Sequence, residues 1–227
     1  LGTLAAGSGA MSGAAHEMPF LLGADVSALP VFEQRGVSYQ RDGKSGDALA
    51  LFREAGMNCF RLRLFVNPNK EGVVTNDLDY TLALAKRVKA SGAALMLDLH
   101  YSDTWADPGK QFKPAAWAQL PFDRLVQQAG DYTRDVLARF AREGVTPEYI
   151  QIGNEITNGL LWPDGRVEFA DGDTDPGPWE RLARLLRAGI DAVPSGPGQP
   201  KVILQIKNPG KREKCLWFFR HARHAGL

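Results

Sequence analysis

An Asn followed directly by a Glu, at the end of the run Tyr149-Ile150-Gln151-Ile152-Gly153, is the pairing in this sequence with the clearest chemical use. A carboxylic acid can protonate a leaving oxygen, and a neighbouring amide can hold a hydroxyl. Asn154 and Glu155 therefore suit cleavage of a glycosidic bond, with Glu155 as general acid and then base. In a parallel α/β barrel the C-terminal strand ends form the open face where chemistry sits, and 149–154 reads as such a strand. Retaining hydrolysis needs a second carboxylate, and no convincing candidate appears before Leu227. The nucleophile is expected to be absent from this chain, and the chain alone is expected to be inactive.

Two further strands end in polar side chains. Alternation along 59–66 puts Arg61 and Arg63 on one face and Leu62 and Leu64 on the other. Pointing inward, the arginines would sit among carboxylates and keep one of them ionised; the plainer reading is that either one pairs with a structural acid. The strand over 95–100 puts Asp98 and His100 on one face and runs into a loop holding Tyr101, Asp103, Trp105, Asp107 and Lys110. Such a loop suits sugar, with an aromatic face for the pyranose C–H surface and polar groups for its hydroxyls. A structural Trp anchor with solvated charges is the plainer alternative.

Five strand–helix alternations position these groups. Strands are expected at 20–26, 59–66, 95–100, 149–154 and 201–206. Helices are expected from Ser45 or Asp47 to 55, over 77–90 with Asn76 as cap, over 122–142, over 179–192, and over about 211–225, most of them stopped by Gly or Pro. This is the pattern of βαβ units on a parallel sheet. No Gly-rich phosphate turn supports an open dinucleotide-binding sheet. The expected fold is therefore α/β, an incomplete (β/α)8 TIM barrel with about five of its units and no internal boundary over 19–227.

The 227 residues carry 27 Lys and Arg against 26 Asp and Glu, a net charge of +1, which gives no electrostatic footprint for nucleic acid or an anionic membrane. No apolar run reaches the length of a membrane helix. Residues 1–18, rich in Gly, Ala and Ser, read either as a flexible tail or as the remnant of a secretory signal, which would make the protein secreted or periplasmic. Cys59 and Cys215 lack metal-ligand spacing and read as reduced thiols in the core.

The segments Gly23-Ala24-Asp25-Val26, Arg61-Leu62-Arg63-Leu64, 97–111 with its His100-Tyr101-Ser102-Asp103-Thr104-Trp105-Ala106-Asp107-Pro108-Gly109-Lys110-Gln111 run, and Gly153-Asn154-Glu155 together resemble glycoside hydrolase family 53, the arabinogalactan endo-β-1,4-galactanases. The resemblance extends from about Phe20 to the last residue, and Trp162-Pro163-Asp164-Gly165 fits the family's substrate-side loop. It implies a retaining (β/α)8 enzyme that cuts the β-1,4-galactan side chains of pectin internally, as a monomer at full length and without a cofactor. It also implies an acid/base Glu at the fourth strand, matching Glu155, and a nucleophilic Glu at the seventh, about 5 to 5.5 Å away in such a pair. Asn154 would bond the sugar 2-hydroxyl, one of Arg61 and Arg63 would keep the nucleophile charged, and Asp98, His100, Asp103, Trp105, Asp107 and Trp162 would contribute to substrate binding.

The chain departs from the family at Gln205, where a His is usual, and at Pro209, where a Gly is usual, which puts the fifth strand's contribution in question. Other motifs point to little. The Asp171–Asp175 stretch lacks the Gly and Glu of an EF-hand, because Pro176 and Leu182 stand in those places, and reads as a solvated acidic loop. His221 and His224 suit a helix C-terminus. Lys207, Lys211, Arg212 and Lys214 lack the aromatic partners of a nucleic-acid site. No metal is expected. Two other readings stay open: a related retaining endoglycosidase such as a mannanase or β-glucanase, which the 97–111 run argues against, and a non-catalytic sugar-binding or inactive fragment.

Overall fold

A computed structural model describes residues 20–169, 176–207 and 210–227; the expected tail at 1–18, the acidic loop at 171–175 and Pro209 lie outside the described residues. In chain order the elements are β1 (Gly23–Asp25), α1 (Leu29–Gln34), β2 (Tyr39–Arg41), β3 (Lys44–Gly46), α2 (Ala48–Glu54), β4 (Cys59–Leu64), α3 (Leu78–Ala90), β5 (Ala94–Leu99), α4 (Phe122–Arg142), β6 (Tyr149–Ile152), β7 (Gly159–Leu160), β8 (Gly165–Arg166), α5 (Gly177–Asp191), β9 (Lys201–Ile203) and α6 (Arg212–His224). β1, β4, β5, β6 and β9 form one parallel sheet in that spatial order. They are five strands of an α/β barrel, and among the described residues β1 and β9 are its edges.

Alternation divides the two faces. Phe60, Leu62 and Leu64 on β4, Leu95, Leu97 and Leu99 on β5, and Ile150 and Ile152 on β6 are all fully buried against the helices. Each such side chain contributes on the order of 1.5–3 kcal/mol by leaving water. The register carries Arg63, Asp98 and Gln151 across neighbouring strands in one row, and Asp25, Arg61 and Met96 in the row below, on the inner face. A cavity of about 230 Å³ opens beneath this polar layer, lined by Gly23, Asp25, Cys59, Arg61 and Met96.

The helices follow their sequence signals with one correction. Asp47 caps α2 by accepting from the Ala50 N–H, but the cap of α3 is Asp77, which accepts from the Tyr80 N–H. Asn76, expected in that place, is buried and donates from Nδ2 to the Ser27 carbonyl instead. Either Asx residue could cap in principle; Asn76 instead turns inward to the Ser27 carbonyl, which also accepts from the Tyr80 hydroxyl at 2.8 Å. The short helix α1 and the hairpin of β2 and β3, both between the first two barrel strands, were not expected. α4 buries Leu125, Ala129, Thr133, Val136, Leu137 and Phe140, a stripe at helical spacing. It approaches α5 so closely that a Cβ on Gly130 would meet the Ala188 carbonyl oxygen at 3.0 Å. Cys59 and Cys215 form no disulfide.

Candidate active site

Arg61 is the hub of the polar layer. Its Nη1 donates to Asp25 Oδ2 at 2.6 Å, its Nη2 to Asp98 Oδ2 at 2.6 Å and to Asn154 Oδ1 at 2.7 Å, and its Nε to Gln151 Oε1 at 3.2 Å. One planar fork thus ties four strand ends into a single arrangement. Burial pushes the Asp25 carboxyl up, but the charge of Arg63, the hydrogen bonds from Ser27 and the charge of Arg61 outweigh it and hold the group below the usual carboxylate range.

Asp98 has no exposed surface. Its Oδ1 accepts from Gln151 Nε2 at 2.7 Å, and its Oδ2 lies 2.8 Å from His100 Nε2. The Ala106 N–H donates to His100 Nδ1 at 3.2 Å, so the hydrogen-bond roles put the imidazole proton on Nε2, facing Asp98. The contact from Nε2 is close but poorly aligned: this nitrogen has no well-directed acceptor among the described residues.

Asn154 is held at both ends of its amide. Oδ1 receives Arg61, and Nδ2 donates to the Ala106 carbonyl at 2.6 Å, its second N–H meeting no acceptor among the described residues. The Asn154 backbone carbonyl accepts from Gln111 Nε2 at 2.8 Å. Glu155 follows in the left-handed region, with φ 49° and ψ 46°, a conformation that costs a non-glycine residue roughly 1–2 kcal/mol. Gly153 before it has φ +80°, and a Cβ there would lie 2.6 Å from Ile156 Cγ2, so only glycine fits that step. The turn swings the Glu155 carboxyl to the rim, about a quarter exposed, where Lys207 Nζ lies 3.6 Å from Oε2.

Trp105 and Arg63 form a second cluster beside the first. The Arg63 guanidinium lies 4.0 Å from the Trp105 ring centroid, and its Nη1 is 3.8 Å from Asp25 Oδ1. Burial lowers the Arg63 pKa, with Asp25 opposing that shift. Arg63 Nε is buried and has no partner among the described residues. Trp105 also meets Phe65 and His100 edge-on, with centroids 6.0 and 6.1 Å apart. One face of the indole is thus taken by Arg63.

The remaining expected residues sit farther out, in loops. Asp103 accepts from the Asn67 N–H on Oδ1 and from the Ala115 N–H on Oδ2, both at 2.9 Å, and so ties two loops together. Asp107 Oδ1 accepts from the Gly109 N–H at 2.7 Å and shapes its own turn. Trp162 donates from Nε1 to the Asn158 carbonyl at 2.8 Å and from its backbone N–H to the Gln111 carbonyl at 2.7 Å, with Arg166 over its ring. Gln111 bridges these loops to the site, since its Nε2 reaches the carbonyls of both Asp107 and Asn154.

Sequence reasoning missed Gln151, the pairing of Lys207 with Glu155 and the tie of Asp25 to Arg61, and it read Gln205 only as a departure, without its contact to the Glu155 N–H. A signal existed for Gln151, a polar side chain in the middle of an otherwise apolar strand. None existed for Lys207, which read as part of a basic run whose other members lie at the start of α6. Among the described residues no group of three His, Cys, Asp or Glu side chains is placed to hold a metal ion, and no helix is long and apolar enough to cross a membrane.

The sequence profile of glycosyl hydrolase family 53 matches residues 21–227. A probable arabinogalactan endo-beta-1,4-galactanase A of Aspergillus terreus is 41% identical over 189 residues, covering 82% of this chain and 51% of that protein. A structure from a study of two fungal beta-1,4-galactanases superposes with a TM-score of 0.80 at 35% identity, over 90% of this chain and 58% of that one. The catalytic domain of family 53 from Ignisphaera aggregans superposes with a TM-score of 0.81 at 33% identity, over 93% of this chain and 58% of that one. The chain spans little more than half the length of the relatives it matches.

Proposed function

The chain belongs to glycosyl hydrolase family 53, and from that premise we propose that it forms the acid/base side of a retaining endo-β-1,4-galactanase acting on the galactan side chains of pectin. The observation that carries this reading is the Asn154–Glu155 step at the end of β6. The Asn154 amide is fixed by Arg61 and Ala106 with one N–H unpaired among the described residues, and the Glu155 carboxyl is lifted to the rim by a left-handed turn. Glu155 would protonate the glycosidic oxygen as the bond breaks, then take a proton from the water that releases the sugar. The second Asn154 N–H would meet the 2-hydroxyl, where a hydrogen bond strengthens as positive charge builds on the anomeric carbon.

The nucleophile is proposed to lie outside this chain. Supporting this, Asp98 has no exposed surface and both carboxyl oxygens of Asp103 accept from backbone N–H groups, so neither is free to reach an anomeric carbon. Residues 19–227 would then be part of a catalytic barrel, with Trp105 and Trp162 flanking the sugar; His100 and Asp98, expected among the substrate ligands, are fully buried and would act only by holding their neighbours in place. A cell-wall polysaccharide substrate fits an exported protein.

The test is Glu155→Gln in the active protein that carries this chain. Hydrolysis of unactivated galactan should fall by about 10²- to 10⁴-fold, the usual contribution of a general acid. Aryl galactosides with good leaving groups need little protonation and should be largely spared in glycosyl transfer. Equal loss on both substrate types would reject Glu155 as the acid.

A further inference from the structure

Gln205 stands just beyond β9, where the chain departs from the residue usual in its family, and it makes an uncommon pair of contacts. Its side-chain Oε1 accepts from the Glu155 N–H at 3.2 Å, and its backbone carbonyl accepts from the Ile156 N–H at 2.9 Å. The two consecutive amides of the left-handed turn are therefore both received by one residue. Two positions on, the Lys207 N–H donates to Thr157 Oγ1 at 2.8 Å, so 205–207 is stitched to 155–157 along its length.

The same Oε1 lies 3.1 Å from Gln151 Nε2, whose two N–H groups it shares with Asp98 Oδ1 at 2.7 Å and the Gly153 carbonyl at 2.9 Å. Gln151 in turn donates to Asp98 Oδ1 and receives Arg61 Nε on its own Oε1. The orientation of both amides is forced. A backbone N–H and an arginine can only donate, so Gln205 must present oxygen to Glu155 and Gln151 must present oxygen to Arg61. Polar contacts thus run from Arg61, which fixes Asn154, through Gln151 to Gln205, whose Oε1 receives the Glu155 N–H as its own directed bond.

We propose that Gln205 is a positioning residue for the acid/base Glu155, acting with Gln151 to set the Glu155 turn relative to Asn154. The reason is energetic. A non-glycine residue in the left-handed region persists only where its surroundings over-determine it, and at Glu155 the amide bonds that do so end on Gln205. Without the side-chain acceptor, the Glu155 N–H loses its partner and the carboxyl gains alternative directions at the rim. This inference rests on Glu155 being the acid.

The experiment compares Gln205→Met, Gln205→Glu and Glu155→Gln in the active protein, each on unactivated β-1,4-galactan and on an aryl galactoside with a good leaving group. Gln205→Met keeps length but removes the acceptor. It should lower kcat/KM on galactan by about three- to tenfold, the span of one net hydrogen bond, through kcat rather than KM, with a clearly smaller loss of kcat/KM on the activated substrate, whose bond breaking needs little protonation. Gln205→Glu restores an acceptor oxygen at the same reach and should recover most of the difference between substrates. Should Gln205→Met fail to fold, Gln205→Asn withdraws the acceptor by one methylene and should show the same substrate-dependent loss. Equal losses on both substrates, or a rise in KM alone, would overturn the positioning role even where Glu155→Gln behaves as an acid knockout. If Glu155→Gln itself shows no dependence on the leaving group, the acid assignment fails first, and the role built on it falls with it.

Discussion

Replacing Arg61 by Met tests whether one guanidinium holds the polar layer together. The substitution removes four hydrogen bonds, two of them to carboxylates at 2.6 Å. The two carboxylates are unequally placed. Asp25 is partly exposed and keeps the Ser27 N–H at 3.0 Å and Arg63 nearby, so its share is that of a partly screened pair, about 0–1 kcal/mol. Asp98 has no exposed surface and would keep only Gln151 as a well-aligned donor. Breaking a buried pair from one side costs about 3–5 kcal/mol, because the remaining charge stays buried. The total expected for Arg61→Met is therefore about 3–5 kcal/mol, a large part of a typical domain's 5–15 kcal/mol. Arg61→Lys should fall between, since one ammonium cannot reproduce a fork that reaches four acceptors. Urea unfolding followed by tryptophan fluorescence reads these differences. Adding Asp98→Asn to Arg61→Met should recover about 1–3 kcal/mol through the coupling of the pair. A loss below about 1 kcal/mol for Arg61→Met, or simple additivity in the double variant, would refute the hub.

Trp105→Ala should raise KM for galactan more than it lowers kcat if the ring binds sugar uniformly; unchanged galactan binding would leave Trp105 as the anchor for Arg63 alone. Gly189→Ala should destabilise by about 1–3 kcal/mol despite alanine's better helix propensity, because the new Cβ would lie 2.7 Å from the Tyr101 hydroxyl and 3.0 Å from Ile152 Cγ2. A higher urea midpoint for that variant would show the α5–sheet contact to be looser than it looks. Burial raises Asp25, Asp47 and Asp77, yet Arg63 and Ser27 for the first, the Ala50 N–H and Arg87 for the second, and Lys70 and the Tyr80 N–H for the third depress all three overall. Depressed carboxylates stabilise the fold fully above their unfolded pKa of about 3.9 and lose that contribution as pH falls through the folded values. The urea midpoint should thus drop below about pH 4, and Asp25→Asn should flatten the drop. A midpoint that stays level through that range would contradict the pairing.

The order of elements was legible from the sequence because its signals are local. Asp47 and Asp77 lie beside the helices they cap, Gly144 directly follows the end of α4, and the apolar alternation of β4 and β5 needs only neighbours two apart. The same alternation put Arg61 with Arg63, and Asp98 with His100, on shared faces, and the strand end singled out Asn154 and Glu155. Local pattern also failed in a local way at Asn76, where two adjacent Asx residues could each cap and Asp77 takes the cap while Asn76 turns to the Ser27 carbonyl. What the sequence could not determine was who meets whom. Arg61 reaches Asp25, Asp98, Gln151 and Asn154 across separations of 36 to 93 residues, and those meetings depend on the parallel register that sets neighbouring strand ends at one height. The fold likewise turned Asp103 and Asp107, read as sugar ligands, toward backbone N–H groups: Asp103 toward Asn67 in the loop after β4 and Ala115 in its own, Asp107 toward Gly109. It brought Gln205 and Lys207 to Glu155. A motif singles out Glu155; the tertiary packing of β6 against β9 decides how it is held.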